Sequence, residues 1–169
     1  MLRKMVIAWD LDGTLVDSSH RTRYVNGEFD LTYWQENAKK EEVLMKDKLL
    51  PLYEVFLSFQ NAGYTQICVT ARAMNENDFK YLEKHNMNFD MVLHRGDSVE
   101  LDHILKSKKL KTFFNEGDRI PFMAFDDKED NLKIFDKFGF RTFQALYMNE
   151  KLRKKSFKDI YFKPSDFEE

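Results

Sequence analysis

The sequence VIAWDLDGTLVDSS, residues 6–19, places two acidic residues directly after an apolar run. The run from Met5 to Trp9 is apolar at every position, which is typical of a parallel strand covered by helices on both faces. Asp10 and Asp12 follow at its end. Burial of a carboxylate is unfavourable unless the group is paired with a cation or binds a metal. Two acids at the tip of a buried strand therefore indicate chemistry rather than packing.

The composition is that of one folded domain. The 169 residues are 43% hydrophobic and 15% aromatic, which excludes a disordered chain and allows a sizeable core. The formal net charge of −2 argues against a chain that binds nucleic acid through its overall charge. We predict a single domain over residues 1–169.

Cysteine usage and the N-terminus bear on location. Cys68 is the single cysteine, lies in an apolar run and cannot form an internal disulfide. The apolar part of the N-terminus is short and runs into Asp10, so it is not expected to be a signal peptide. No apolar run approaches the length of a transmembrane helix. We therefore expect a cytoplasmic protein with no membrane partner.

Apolar runs alternate with segments of helical spacing along the chain. Strand character is found in TQICVT, FDMVLH, PFMAFDD and FRTFQAL, after the first strand. Helical spacing is found in KDKLLPLYEVFLSFQNAG, NENDFKYLEKHNM, DSVELDHILKSKKLKTFF and KEDNLKIFDKFG. Asn75 is a good N-cap, and Gly63 and Gly139 end two of the helices. This alternation predicts an α/β fold, a Rossmann-like parallel sheet of about five strands with helices on both faces.

Residues 18–47 do not fit this alternation. They lie between the first strand and the first crossover helix. HRTRYVNGEF, residues 20–29, indicates a loop or hairpin, and DLTYWQENAKKEEVL, residues 30–44, indicates a helix. We interpret the segment as a small cap-like insert over the carboxyl edge of the sheet. A longer first crossover connection is the alternative.

Polar residues follow several predicted strands at the carboxyl edge, where ligands bind in open α/β sheets. Six of them stand after three strands: Asp10, Asp12, Thr70, Arg72, Asp126 and Asp127. Four carboxylates at one edge repel each other, and Mg²⁺ relieves that repulsion while keeping positions open for water and phosphate. A hydroxyl and a lysine suit phosphoryl oxygens, and an aspartate can attack phosphorus to form an aspartyl-phosphate.

These motifs resemble those of the haloacid dehalogenase (HAD) superfamily of phosphohydrolases. DLDGT, residues 10–14, resembles the DxDGT signature, VTAR, residues 69–72, the Ser/Thr motif, and FDDKEDN, residues 125–131, the acidic motif. A lysine stands before the fourth strand, as the family order requires. The phosphatase domain of phage polynucleotide kinase-phosphatase is similar in further details: Gly63-Tyr64, Arg72 and Gly96-Asp97-Ser98.

The resemblance implies roles for the acids. Asp10 is expected to attack phosphorus and carry the phosphoryl group. Asp12 is expected to act as general acid and then base, with a pKa raised by the neighbouring carboxylates. Mg²⁺ is expected at Asp10, Asp126 and the main-chain carbonyl of Asp12, with Asp127 either binding the ion directly or contacting its ligands.

Other residues are expected to contact the substrate. Thr70 and Lys106 would hold the phosphoryl oxygens. Gly13, Thr14 and Arg72 are assigned to substrate binding, with Thr14 also shaping the turn and Arg72 contacting the substrate or an active-site acid. Four lysines compete for one role, namely Lys106, Lys108, Lys109 and Lys111. The family spacing favours Lys106, with Lys109 next, and the others are then a solvated helix face.

The substrate is less constrained. A modest insert leaves an open site that can admit a polymer end. Basic residues occur at Arg21 and Arg23 and in EKLRKKSFK, residues 150–158. Tyr24, Tyr33 and Trp34 could stack on a base. Each also has an ordinary interpretation, as surface charge or as packing.

Three functions follow from these features. The favoured one is a Mg²⁺-dependent phosphatase of DNA or RNA 3′-phosphate ends. The alternative is a phosphatase of free nucleotides or small phosphomonoesters. A non-catalytic binding protein on the same scaffold is the second alternative, against which the intact pair Asp10 and Asp12 argues.

Overall fold

The computed structural model of the protein describes residues 4–154. The elements of this part follow one another as β1 (Met5–Trp9), β2 (Val16–Asp17), β3 (Tyr24–Val25), β4 (Glu28–Phe29), α1 (Leu31–Asn37), α2 (Glu41–Leu44), β5 (Lys48–Leu49), α3 (Leu52–Asn61), β6 (Thr65–Val69), α4 (Glu76–Lys84), β7 (Met91–Leu93), α5 (Asp102–Asn115), β8 (Ile120–Asp126), α6 (Glu129–Lys137), β9 (Arg141–Gln144) and α7 (Ala145–Lys154). A 3-10 turn covers Ser19–Arg21.

Five of the strands form the central sheet, in the order β7-β6-β1-β8-β9. All four neighbouring pairs are parallel. β1 lies in the middle, where Trp9 stands beside Cys68 on one side and Phe125 on the other. The predicted α/β fold with a five-stranded parallel sheet is confirmed.

Side chains of β1 alternate between two cores, one on each face of the sheet. Ile7 and Trp9 belong to the first core, which also receives residues of α3, α4 and α7. Val6 and Ala8 belong to the second core, with residues of α5 and α6. The apolar character of β1 at every position therefore reflects burial on both faces, as the pattern indicates.

Several helix boundaries follow the predicted signals. Asn75 caps α4: its side chain accepts hydrogen bonds from the main-chain N–H groups of Asn77 and Asp78. The Asp78 carboxylate in turn accepts from the main-chain N–H of Asn75, which completes a capping box. α3 and α6 end shortly before Gly63 and Gly139. The helix predicted from Asp97 begins only at Asp102.

Two other boundaries differ from the prediction. The helix predicted from Lys46 begins at Leu52, because Lys48–Leu49 pairs with β2 as a short antiparallel strand. Ala145 and Leu146, predicted in the last strand, begin α7 instead. Residues 155–158 of the basic C-terminal run lie outside the described residues.

Residues 18–47 form small elements of their own. β3 and β4 make a hairpin, with Asn26 and Gly27 at φ 53° and 84° in its turn, as a type I′ turn requires. The single helix predicted over residues 30–44 is two short helices, α1 and α2. The β2–β5 pair brings the two ends of the segment together. Its cap-like role stays a prediction.

Within the described residues, none of the helices is both long and apolar enough to cross a membrane.

Candidate active site

The parallel strands bring their polar ends to one edge of the sheet. Asp10 follows β1, and its main-chain N–H donates to the carbonyl of Phe125 in β8 at 2.9 Å. Thr70 follows β6, and its N–H donates to the carbonyl of Leu93 in β7 at 2.9 Å. Hydrogen bonds between the strands therefore continue to Asp10 and Thr70, and these bonds fix the backbone positions of the two residues.

Lys106 of α5 reaches into this edge. Its side chain is 1% exposed, and Nζ donates to Asp10 Oδ1 at 2.7 Å and to Asp126 Oδ2 at 2.6 Å. Burial by itself would lower the pKa of Lys106, but the two carboxylates raise it above the ordinary value. Of the four competing lysines, Lys106 is the one placed on the acids, whereas Lys108 pairs with Glu100 at the surface.

Three carboxylates form a cluster around this ammonium. Asp10, Asp126 and Asp127 each offer an oxygen atom, and these atoms lie within 4.8 Å of one another. Burial raises the pKa of Asp10 to about 8, against the influence of Lys106. Burial and the charge of Asp126 raise the pKa of Asp127 to about 6. Full ionisation of the three acids beside one ammonium would leave an excess of two negative charges, and the raised pKa values of Asp10 and Asp127 reflect the burial and that repulsion. A divalent cation would neutralise this excess and keep all three carboxylates ionised.

Hydrogen bonds hold this cluster in place. The side-chain amide of Asn131 donates to both oxygens of Asp126, at 3.0 and 3.2 Å, and the N–H of Lys128 donates to Asp126 Oδ1 at 2.9 Å. The amide of Gln144 donates to the main-chain carbonyl of Asp127 at 2.9 Å. Asn131 and Gln144 are positioning residues to which the sequence motifs assign no role.

Asp12 is held differently from the other acids. Arg72 Nε donates to Asp12 Oδ2 at 3.0 Å, Arg72 Nη2 contacts Asp12 Oδ1, and Ser18 Oγ donates to the same oxygen at 2.5 Å. Burial opposes ionisation here, but Arg72 outweighs it, so the pKa of Asp12 lies below its ordinary value. The prediction of a raised pKa for Asp12 is wrong, because a cation rather than another acid is its nearest charged neighbour.

A second layer of buried charge surrounds Arg72. Arg72 Nη1 donates to Asp78 Oδ1 at 2.8 Å. Arg21 Nη2 donates to Asp47 Oδ2 at 2.8 Å and stands 3.7 Å from Asp12 Oδ1. Arg21 is 2% exposed, so its interpretation as a surface charge is wrong, whereas Arg23 is exposed as expected. No sequence period relates these residues, and only the fold brings them together.

The threonines and Gly13 occupy different places. Thr70 is buried at the cleft, where its hydroxyl accepts a hydrogen bond from the N–H of Arg72 at 3.1 Å. Thr14 is fully buried, and its carbonyl accepts a hydrogen bond from Asn149 at 3.0 Å; its side chain does not line the cleft. Gly13 has φ 76°, and a Cβ there would lie 2.6 Å from Asp127 Oδ2. Only glycine fits this close approach.

Asp10, Asp12 and Asp127 line a cleft of about 840 Å³, a volume typical of small-molecule sites. One wall carries Asp10, Thr70 and Lys106 at the sheet edge. Residues 18–47 supply further lining residues, including Trp34 of α1 and Lys39, which lies just after that helix. The cleft is thus shared between the sheet edge and the segment that interrupts the alternation.

Together, the parallel sheet and the DLDGT, VTAR, lysine and acidic motifs at its edge define a HAD-type phosphohydrolase. A solved haloacid dehalogenase-like hydrolase from Streptococcus pneumoniae has the same fold, with a TM-score of 0.57 at 14% identity over 84% of each chain. Two structures of a Pnkp1/Rnl/Hen1 complex match with TM-scores of 0.59 and 0.65, at 23% and 24% identity. The matches cover 83% and 84% of this chain but less than half of the matched chains, 42% and 45%.

A family model that matches nearly the whole chain shows the family of this protein. The family model described as Bacteriophage T5 5'-deoxynucleotidase matches residues 1–161, and the chain belongs to this family. A protein of Escherichia phage T5 named 5'-deoxynucleotidase is 28% identical over 172 residues, covering 86% of this chain and 68% of that protein. The predicted HAD superfamily and phosphatase class are confirmed, and a non-catalytic binding protein is not supported.

Proposed function

We propose that this protein is a Mg²⁺-dependent phosphatase of deoxynucleoside 5′-monophosphates that works through an aspartyl-phosphate on Asp10. The observation that carries the proposal is the position of Asp10, buried at the bottom of the cleft with its carboxylate against Lys106. The substrate class is supported by membership of the T5 5'-deoxynucleotidase family and by the name of the phage T5 relative.

The acid cluster has the chemistry of a Mg²⁺ site. Asp10, Asp126 and Asp127 would hold the ion with carboxylate oxygens, and the main-chain carbonyl of Asp12 would add a further ligand. When bound, Mg²⁺ supplies positive charge for the phosphoryl oxygens and offsets the repulsion among the acids. The raised pKa values of Asp10 and Asp127 support this assignment, because Lys106 can balance only one of the three carboxylates and a further cation is needed to keep all of them ionised.

In the first half-reaction, a carboxylate oxygen of Asp10 attacks phosphorus in line with the 5′ oxygen of the sugar. The bond from phosphorus to that oxygen breaks, and Asp12 gives the leaving oxygen a proton. The Thr70 hydroxyl and the Lys106 ammonium hold the phosphoryl oxygens as charge is redistributed. The deoxynucleoside leaves, and the phosphoryl group remains on Asp10.

In the second half-reaction, water attacks the phosphoryl group and gives its proton to Asp12. The bond between phosphorus and Asp10 breaks, and inorganic phosphate leaves. The ion pair with Arg72 keeps Asp12 ionised, which suits this base step. The acid step requires Asp12 to bind a proton first, so the pair with Arg72 has to loosen when substrate enters.

The end of a polynucleotide carrying a 3′-phosphate, which the sequence motifs favour, becomes the second candidate substrate. Lys39 and Lys128 are exposed lysines that line the cleft, and they would meet the phosphate backbone of a longer chain. The likeness to the Pnkp1 structures concerns the fold alone and does not discriminate between the two substrates.

Phosphate release from a matched panel, with and without Mg²⁺, tests the proposal. The panel contains deoxynucleoside 5′- and 3′-monophosphates, oligonucleotides phosphorylated at the 3′ or 5′ end, and an aryl phosphate. We expect the highest kcat/KM for the 5′-monophosphates, no release with Asp10→Asn, and little dependence on salt. Preference for the 3′-phosphorylated oligonucleotide, with a steep loss of activity on adding salt, would contradict the assigned substrate.

A further inference from the structure

Large apolar side chains stand exposed in the outer part of the cleft. Val99 is 96% exposed and Leu31 is 55% exposed, and both line the cleft together with the half-buried Trp34. The other lining residues in the described part of the chain are charged, polar or small. Apolar surface held in a cleft beside polar groups is the usual composition of a small-molecule site.

The loop that carries Val99 is tied down. Arg95 Nη1 donates to the carbonyls of Ser98 at 3.0 Å and Glu100 at 2.6 Å, one on each side of Val99. Arg95 Nε donates to the carbonyl of Ala71 at 2.7 Å, next to Thr70. The valine is therefore exposed on a loop that one guanidinium connects to the phosphoryl end of the cleft, and its exposure is built into the fold.

The other large apolar residues of the cleft, Leu31 and Trp34, lie on α1. Leu31 and Trp34 are three residues apart and share one side of this helix. The guanidinium of Arg21 lies 5.6 Å from the centroid of the Trp34 ring and donates to the carbonyl of Ala38, which follows α1, at 2.9 Å. Since Arg21 also pairs with Asp47 near Asp12, the position of α1 is coupled to the acidic end of the cleft.

We infer that Leu31, Trp34 and Val99 form a binding site for the nucleobase of the substrate. The inference rests on the proposed function, because a nucleotide with its phosphate at Asp10 places its base in the outer part of the same cleft. The planar, weakly hydrated ring of a nucleobase would cover these exposed apolar side chains, and any of the bases can stack on Trp34. Gln35, on the same helix and also lining the cleft, can donate to or accept from the base edge.

The site distinguishes phosphates that carry a base from those that do not. Two ligands differ only in that feature, a deoxynucleoside 5′-monophosphate and 2-deoxyribose 5-phosphate. Their affinities are measured by calorimetry with Mg²⁺ in the catalytically silent Asp10→Asn protein, with Asp12→Asn as a second silent background. We expect the nucleotide to bind at least about tenfold more tightly than the sugar phosphate.

Substitutions in the cleft test which residues cause this difference in affinity. Val99→Ser and Leu31→Ser are each expected to weaken nucleotide binding about three- to fivefold and to leave the sugar phosphate unchanged. Val25→Ser is the matched control, since Val25 is 46% exposed on the β3–β4 hairpin but outside the cleft lining. Nucleotide is also expected to quench Trp34 fluorescence, a signal that Trp34→Phe removes while the fully buried Trp9 remains.

Equal affinities for the two ligands would overturn the inference, as would equal losses for both ligands in Val99→Ser and Leu31→Ser. The proposed function is judged separately, by turnover of the wild-type protein. A protein that binds nucleotide through these residues but releases no phosphate from it keeps the base site and loses the proposed reaction. A protein that hydrolyses nucleotide and sugar phosphate alike keeps the phosphatase and loses the base site.

Discussion

Lys106 Nζ lies 2.7 Å from Asp10 Oδ1, although the two residues are 96 positions apart in the chain. The contact joins α5 to the tip of the central strand, and both side chains are buried. It gives the proposed nucleophile one positive neighbour and places the same ammonium on Asp126 at 2.6 Å. Loss of either partner leaves a buried charge without its counterion, which is strongly unfavourable.

Substitution of Lys106 is expected to abolish most of the activity. Lys106→Met removes the cation that would hold phosphoryl oxygens, and we predict a fall in kcat of about 10²- to 10³-fold. Lys111→Met, at an exposed position on the same helix, is the control and should retain wild-type kcat. Steady-state kinetics on both variants, with circular dichroism to verify folding, checks this. Near-normal kcat in Lys106→Met would remove the lysine from the mechanism.

Mg²⁺ is expected to stabilise the folded protein through the acid cluster. At a concentration 100 times its Kd, an ion that binds only the native state adds about 2.7 kcal/mol of stability. The melting temperature of the wild type should therefore be higher with Mg²⁺ than with EDTA. Asp130→Asn, which alters an exposed acid paired with Lys133, is the control and should show the same difference. Asp126→Asn should lose the difference. A wild-type melting temperature that is the same with Mg²⁺ and with EDTA would contradict a metal site at this edge of the sheet.

Gly13 is expected to be needed for the geometry of the metal site. A methyl group in Gly13→Ala would lie 2.6 Å from Asp127 Oδ2, so the carboxylate must move. We predict a loss of Mg²⁺ affinity of about tenfold or more. Gly27→Ala has a similar positive φ, 84°, with nothing within 4 Å, and isolates the backbone strain alone. Titration of activity against Mg²⁺ compares the two, and equal curves would mean that contact with Asp127 does not matter.

The buried pair of Arg21 and Asp47 is expected to stabilise the segment beside the site. Asp47→Asn leaves the Arg21 guanidinium buried without its main counterion, and we predict a loss of about 3 kcal/mol in the free energy of unfolding. Asp118→Asn breaks an exposed ion pair with Lys4 and should cost less than about 0.5 kcal/mol. Urea unfolding measures both. Similar losses in the two variants would show that burial of the Arg21 pair adds nothing.

Local patterns predicted the central sheet and the residues at its edge. β1, β6 and β8 are apolar runs followed by polar residues, and parallel strands end at a common edge, so Asp10, Thr70 and Asp126 could be placed from the sequence. Because β1 and β8 are parallel neighbours, their acidic residues meet at one edge of the sheet, and this much does not depend on the exact side-chain conformations. Lys106 could be favoured among four lysines by its spacing, but its burial depends on how α5 packs.

Contacts between distant residues could not be read from local patterns. Arg21 and Asp47 are 26 positions apart, and no pattern pairs them. The family resemblance implied that Arg72 contacts the substrate or an active-site acid, and the structure shows that acid to be Asp12, 60 positions away. Nothing in the neighbourhood of Asp12 in the sequence identifies a cation, so its pKa was predicted in the wrong direction. The split of residues 30–44 into two helices and the start of α7 at Ala145 depend on tertiary packing that competes with local propensity.

The most direct measurement is a single-turnover reaction with Mg²⁺ and a deoxynucleoside 5′-monophosphate carrying radiolabelled phosphate, quenched in acid and digested. The proposed mechanism predicts transient label on the peptide that contains Asp10, and neither label nor phosphate release with Asp10→Asn. Phosphate release without label on that peptide, together with near-normal turnover by Asp10→Asn, would contradict the assignment of Asp10 as the nucleophile.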